Sequence, residues 1–292
     1  MTMRAYKVVD AFADQPFKGN PVAVVLDAAG LSDAEMQAIA RWTNLSETTF
    51  LLPADDPAAD YRLRIFTPLS ELPFAGHPTL GSAHAALEAG LVTPKAGVLV
   101  QQCGQGLVRI VVSGDGDQRR FTLDLPSAQV TLLDPADIDE LEAIMGAPVR
   151  RDMPPAIVDV GPRWIVAQLA DAAAVLALEP DFSRSAAFEK RLGATGVSLF
   201  GQHQQDDPAI EVRSFAPSCG VEEDPVCGSG NGSIAVFRHH HAALPPAGAD
   251  YCATQGRKVG RDGMVFVHVA ADGAVAIGGA CVTCVDGILR SA

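Results

Sequence analysis

The segment Arg64-Ile-Phe-Thr-Pro68, followed by Glu71-Leu-Pro-Phe-Ala-Gly-His77, occurs a second time in degenerate form. The second copy reads Arg213-Ser-Phe-Ala-Pro217 and then Glu223-Asp-Pro-Val-Cys-Gly-Ser229. Arg64, Phe66 and Pro68 match Arg213, Phe215 and Pro217 at an offset of 149; Glu71, Pro73 and Gly76 match Glu223, Pro225 and Gly228 at 152. Both copies run into a glycine-containing turn and a helix-like stretch. Self-similarity at a fixed offset marks a duplicated unit. It predicts two similar α/β halves facing each other across a cleft.

Outward from the repeat, residues 5–12 and 21–26 read as short β segments, with Gly19-Asn20-Pro21 as turn chemistry between them. Ser32 with Glu35 three residues on fits a capping box, so a helix is expected from Ser32 to Trp42. The runs from Glu47 and from Tyr61 to Phe66 read as strands, the second with clear alternation. A buried helix is expected from Gly76 to Leu87, another at 135–145, and a second glycine-led helix from Gly228. Further strands are expected at 97–101, 107–112, 121–125, 156–168, 264–269, 274–277 and 281–285, with a crossover between the halves starting near Asp124.

The chain has 292 residues, 48% of them hydrophobic, enough for one large core or two ordinary ones. A net charge of −13 repels phosphate backbones, which argues against nucleic acid as a partner. The start, MTMRAYKVVDAF, lacks the basic and apolar regions of a secretory signal. No stretch reaches the roughly 18 apolar residues of a membrane span, so a cytoplasmic protein without a membrane partner is expected. Six scattered cysteines fit a reducing compartment rather than a disulfide scaffold. Cys281-Val-Thr-Cys284 has zinc half-site spacing but no second pair, and His239, His240 and His241 do not share one helix face, so no metal is expected. Gly228-Ser-Gly-Asn-Gly fits neither a P-loop nor a dinucleotide fingerprint.

Each repeat ends where a helix begins, at Ala75-Gly76-His77-Pro78 and at Cys227-Gly228-Ser229-Gly230. Unpaired N–H groups at such ends attract carboxylates and enolates, and glycine lets a ligand approach the backbone. The bland alternative is two ordinary strand-to-helix turns.

These turns, in order with Val9-Asp-Ala-Phe, Gly19-Asn-Pro-Val-Ala-Val, Asn44-Leu-Ser-Glu-Thr-Thr-Phe, Gln255-Gly and Gly260-Arg261, resemble the PhzF-like family of phenazine-biosynthesis isomerases. That family shares its fold with diaminopimelate epimerases and proline racemases. The resemblance covers nearly the whole chain. It implies an α/β (α+β) protein of two pseudo-symmetric domains, each a curled mixed β-sheet around a central helix. Residues 1–128 with 279–292 would carry Glu47 and His77, and residues 129–278 would carry Asp224 and Ser229. It implies a cofactor-independent isomerase, with a homodimer as the plausible assembly. Glu47 would move a proton between carbons of a small amino- or hydroxy-carboxylic acid, such as a dihydro-hydroxyanthranilate-like compound. His77, Asp224, Ser229 and Asn20, with the backbone of Gly76 and Gly228, would bind that substrate.

Bland readings stand beside these roles: an exposed strand-edge Glu47, a backbone-satisfied His77, a turn-forming Asp224 and a helix-capping Ser229. Cys227 falls where related racemases place the second of two proton-transferring cysteines. The first falls on Ala75, so a symmetrical two-thiol racemisation is unavailable. A helix N-terminus would lower the Cys227 pKa and leave a reactive thiol as a secondary acid/base; alternatively Cys227 packs or lines the pocket. The Gly260-Arg261 segment continues Asp262-Gly263, and Cys227 stands where the family commonly has threonine, which puts the substrate in question. An epimerase using Cys227 and a non-catalytic small-molecule binder are the alternative functions.

Overall fold

A computed structural model describes residues 1–204 and 208–291. Its elements, in chain order, are β1 (Thr2–Ala11), β2 (Asn20–Val25), α1 (Asp33–Thr43), β3 (Glu47–Leu52), β4 (Tyr61–Phe66), β5 (Glu71–Leu72), α2 (Gly76–Glu88), β6 (Val98–Cys103), β7 (Gly106–Ser113) and β8 (Arg120–Asp124). There follow β9 (Gln129–Leu132), α3 (Pro135–Met145), β10 (Ala156–Asp159), β11 (Arg163–Gln168), α4 (Ala172–Leu176), α5 (Phe182–Leu192), β12 (Gly196–Gln202), β13 (Ile210–Ala216), β14 (Val221–Asp224) and α6 (Gly228–His240). The last are β15 (Ala249–Gln255), β16 (Gly263–Val269), β17 (Val275–Gly279) and β18 (Cys281–Ser291). The chain divides into unit 1, Met1–Leu123 with Gly278–Ala292, and unit 2, Asp124–Ile277.

In unit 1, β1 pairs antiparallel with both β2 and β18. β2 runs parallel to β3 with Val22 opposite Glu47, and α1 is the crossover. β3 is antiparallel to β4, which is antiparallel to β5 and parallel to β6. Unit 2 repeats this succession. β10 is antiparallel to β11, and β11 runs parallel to β12 with Trp164 opposite Gly196, through α4 and α5. β12 is antiparallel to β13, which is antiparallel to β14 and parallel to β15. The duplication read from the sequence is therefore a duplication of topology.

The repeated letters form one device. In unit 1, Arg64 makes a two-pronged bond to Glu71 (2.7 and 2.6 Å), and its guanidinium lies 5.1 Å from the Phe66 ring centre. In unit 2, Arg213 does the same with Glu223 (3.0 and 2.7 Å) over Phe215 at 4.9 Å. A planar fork suits a carboxylate and also stacks on an aromatic face, which explains why Arg, Phe and Glu recur together.

Each unit wraps its sheet around a helix buried along most of its length, α2 in one and α6 in the other. Small residues make this close approach feasible. A Cβ on Gly81 would lie 2.4 Å from a Val22 methyl, and one on Gly230 would lie 2.4 Å from the Ser198 hydroxyl. Leu80 of α2 is buried with the strand residues Val9 and Val22 in unit 1, and Ile234 of α6 with Val197 and Leu199 in unit 2.

The capping box at Ser32 and Glu35 is formed in full. The last strand runs on to Ser291, well beyond residue 285, because β1 continues opposite it to Thr2. Sequence reading had no counterpart for α4, α5 or β15, nor for β12, whose buried residues on both faces leave no alternation to read. Among the described residues, no helix is long and apolar enough to cross a membrane.

Candidate active site

Glu47 opens β3 and His77 is the second residue of α2. Their side chains meet, with Glu47 Oε2 3.3 Å from His77 Nε2, and are only 15% and 9% exposed. The apolar neighbours Phe50 and Leu51 are buried. The His77 ring also hydrogen-bonds the Pro21 carbonyl. With Nε2 turned to Glu47, that bond belongs to Nδ1, and the hydrogen-bond network assigns the ring proton there. Burial pushes the His77 pKa down to about 3, so the ring is neutral at pH 7 and presents a lone pair to Glu47. A lone pair facing a carboxyl oxygen is favourable when the carboxyl is protonated.

Asn20 starts β2, buried, directly before Pro21. Gly76 is the first residue of α2, whose N-cap, Ala75, offers no side-chain acceptor to the first-turn N–H groups. A Cβ on Gly76 would meet no atom within 4 Å among the described residues.

In unit 2, Asp224 ends β14 and accepts the Val226 N–H at 3.1 Å, so it is a turn residue in addition to any other role. Burial raises its pKa to about 6, against the opposing pull of its bonds to the Cys227 thiol and to Val226. Cys227 itself caps α6, its Sγ accepting the Gly230 N–H at 3.3 Å. Two of the alternatives left open by the sequence differ from the structure here. The Cys227 pKa is raised well above the usual thiol value, because burial and the Asp224 charge outweigh the helix N-terminus. Ser229 does not cap the helix; its Oγ accepts the Trp164 indole N–H at 3.0 Å. Gly228 is the first residue of α6, buried between the two.

Gln255 locks this turn. Its Oε1 accepts the Cys227 N–H (3.1 Å) and the Asn231 side-chain amide (2.9 Å), while its Nε2 donates to the Asp224 carbonyl (2.9 Å). Glu47, His77, Asn20 and Gly76 therefore lie in unit 1, and Asp224, Cys227, Gly228 and Ser229 in unit 2. Sequence reading missed Trp164 and Asn231, and gave Gln255 no role. Trp164 lies 65 residues from its partner, and nothing beside it in the sequence marks it. Among the described residues, no group of three or more His, Cys, Asp or Glu is placed to hold a metal ion.

The sequence matches the profile of the phenazine biosynthesis-like (PhzC-PhzF) protein family over residues 9–287. The chain belongs to that family. A curated relative, "Antisense-enhancing sequence 1" of Schizosaccharomyces pombe, is 41% identical over 98% of this chain and 99% of its own length. The trans-2,3-dihydro-3-hydroxyanthranilate isomerase of Pseudomonas aeruginosa is 34% identical over 93% of this chain and 92% of its own. The crystal structure of a PhzF-family protein from Bacillus anthracis superposes over 100% of both chains with a TM-score of 0.90 at 23% identity, which bears on the fold. The fold is of the diaminopimelate epimerase-like type, and the chain is an enzyme of the isomerase class.

Proposed function

We propose that this PhzF-family enzyme moves a proton between two carbons of a small amino- or hydroxy-carboxylic acid, with Glu47 as the proton carrier. The observation behind this reading is the 3.3 Å contact between Glu47 and a neutral His77. The Glu47 carboxylate takes a proton from one substrate carbon, the electron pair shifts the double bond, and the resulting carboxylic acid protonates another carbon. His77 supports the intermediate stage by accepting a hydrogen bond from the Glu47 acid. Burial makes the imidazolium unfavourable, so the ring holds the proton in place without removing it. The uncapped first turn of α2 at Gly76 supplies N–H groups for negative charge developing in the substrate. Asp224 and Ser229 would take the substrate's amine, hydroxyl or carboxylate groups.

The 34% identity to the Pseudomonas aeruginosa isomerase makes a dihydro-hydroxyanthranilate-like compound the first substrate to try. Proton NMR in D2O on trans-2,3-dihydro-3-hydroxyanthranilate and a panel of amino and hydroxy acids tests this. Deuterium should enter a carbon position, or the double bond move, with wild type and not with Glu47→Gln. Exchange that persists in Glu47→Gln would remove Glu47 as the carrier. An epimerase built on Cys227 is disfavoured, because a thiol held protonated is a poor base.

A further inference from the structure

We propose that Trp164 is a positioning residue for Ser229, its indole lying across a position that Gly196 leaves without a side chain. The strand registers lead to this. In unit 1 the parallel pair β2–β3 sets Val22 opposite Glu47; in unit 2 the parallel pair β11–β12 sets Trp164 opposite Gly196. The repeat offset of 149 carries Glu47 onto Gly196, so Trp164 occupies the place of Val22.

Gly196 does not have a left-handed backbone, so conformational freedom does not account for it. Space does. A Cβ there would lie 2.2 Å from the Phe215 carbonyl oxygen and 2.7 Å from Cζ3 of Trp164. The indole lies across the position where the other unit carries its carboxylate side chain. It is 3% exposed, and its Nε1 donates to Ser229 Oγ at 3.0 Å. In both units a residue from this strand pair reaches the second residue of the following helix: Glu47 reaches His77, and Trp164 reaches Ser229.

The indole nitrogen donates and cannot accept. Its bond occupies a lone pair of the Ser229 oxygen and turns the hydroxyl proton away from the indole. Apart from Cys227 Sγ at 3.6 Å, that proton is directed to whatever binds at the start of α6. Trp164 thereby makes Ser229 a donor, suited to a carboxylate or oxyanion of the substrate. This consequence rests on the isomerase reading above; the Trp164–Ser229 link does not.

The chain has two tryptophans, and the other, Trp42, is 76% exposed, so an indole-nitrogen NMR spectrum holds two separable signals. Trp164→Phe assigns the Trp164 signal by its loss. In Ser229→Ala that signal should move to the position of an unbonded indole and exchange faster with solvent, whereas Ser229→Thr should preserve it. With trans-2,3-dihydro-3-hydroxyanthranilate as substrate, Trp164→Phe and Ser229→Ala should each raise KM about fivefold, the size of one hydrogen bond, with a much smaller change in kcat. The double variant should match either single one. A Trp164 signal indifferent to Ser229→Ala overturns the proposal, as do KM effects that multiply in the double variant. A wild type inert towards this compound counts against the isomerase reading, and the indole signal then decides the Trp164 link by itself.

Discussion

Units 1 and 2 run through the same strand succession, and both carry the Arg–Phe–Glu device, yet equivalent positions hold Glu47 in one and Gly196 in the other. The helix that follows starts at an acceptor-less Ala75 in unit 1 and at a capping Cys227 in unit 2. Its second residue is His77 in unit 1, against a carboxyl group, and Ser229 in unit 2, against an indole. The residues that hold the strands in place have been kept, and those around the helix starts have diverged. Fold and chemistry are thus carried by neighbouring but separate residues. In the proposed reading, the pair in unit 1 manages a proton and the pair in unit 2 fixes the direction of a hydroxyl.

The shared device should differ in strength because its burial differs. Arg213 and Glu223 are 5% and 7% exposed, whereas Arg64 and Glu71 are 15% and 42% exposed. Glu223→Gln should cost about 3–5 kcal/mol in urea unfolding, and Glu71→Gln about 1 kcal/mol, the latter shrinking in high salt. Equal costs would break the comparison.

The two sites should also respond to pH with opposite sign. His77 has a folded pKa of about 3, below its ordinary 6.5, so on acidification the unfolded chain takes up its proton first. Its contribution is complete above pH 6.5 and is lost as pH falls towards 3, by of the order of 5 kcal/mol. Asp224 has a folded pKa of about 6, above its ordinary 3.8, so the folded chain keeps its proton longer. Stability from this group is complete below pH 3.8 and declines as pH rises to 6. His77→Asn should flatten the acid-side loss of wild type, and Asp224→Asn should abolish the opposing decline. Urea unfolding across this range reads both slopes.

Gly196→Ala should destabilise by about 1–3 kcal/mol, since its Cβ runs into backbone. Gly76→Ala, with open space beside it, should stay within about 0.5 kcal/mol. The smallest effect is expected at Cys227. Cys227→Ala should keep kcat within about threefold, and iodoacetamide should label Cys227 in step with unfolding rather than with thiol ionisation.

Much of the fold was legible because its signals are local. Ser32 and Glu35 announce α1, alternation announces β4, and Gly76 and Gly228 start the two central helices. The repeat was legible because one guanidinium serves a carboxylate and an aromatic ring at fixed spacing in both units. β12 was not, since a strand buried on both faces has no polar side to alternate with. At the candidate site, the family resemblance pointed to Glu47 and His77, but only coordinates give the 3.3 Å contact and the Pro21 bond from which the tautomer is assigned. The Cys227 pKa was misread because a helix N-terminus is visible in sequence, whereas burial and the neighbouring Asp224 charge are not. Trp164 escaped notice because its meaning depends on a strand register and a missing Cβ at Gly196.

The division of labour between Glu47 and Ser229 is tested most directly by rates of deuterium incorporation at saturating trans-2,3-dihydro-3-hydroxyanthranilate, for Glu47→Gln beside Ser229→Ala. Glu47→Gln should lose about 10³-fold or more at saturation, while Ser229→Ala should recover close to the wild-type rate once the substrate concentration is raised. Equal losses at saturation in both variants, or undiminished exchange in Glu47→Gln, would contradict it.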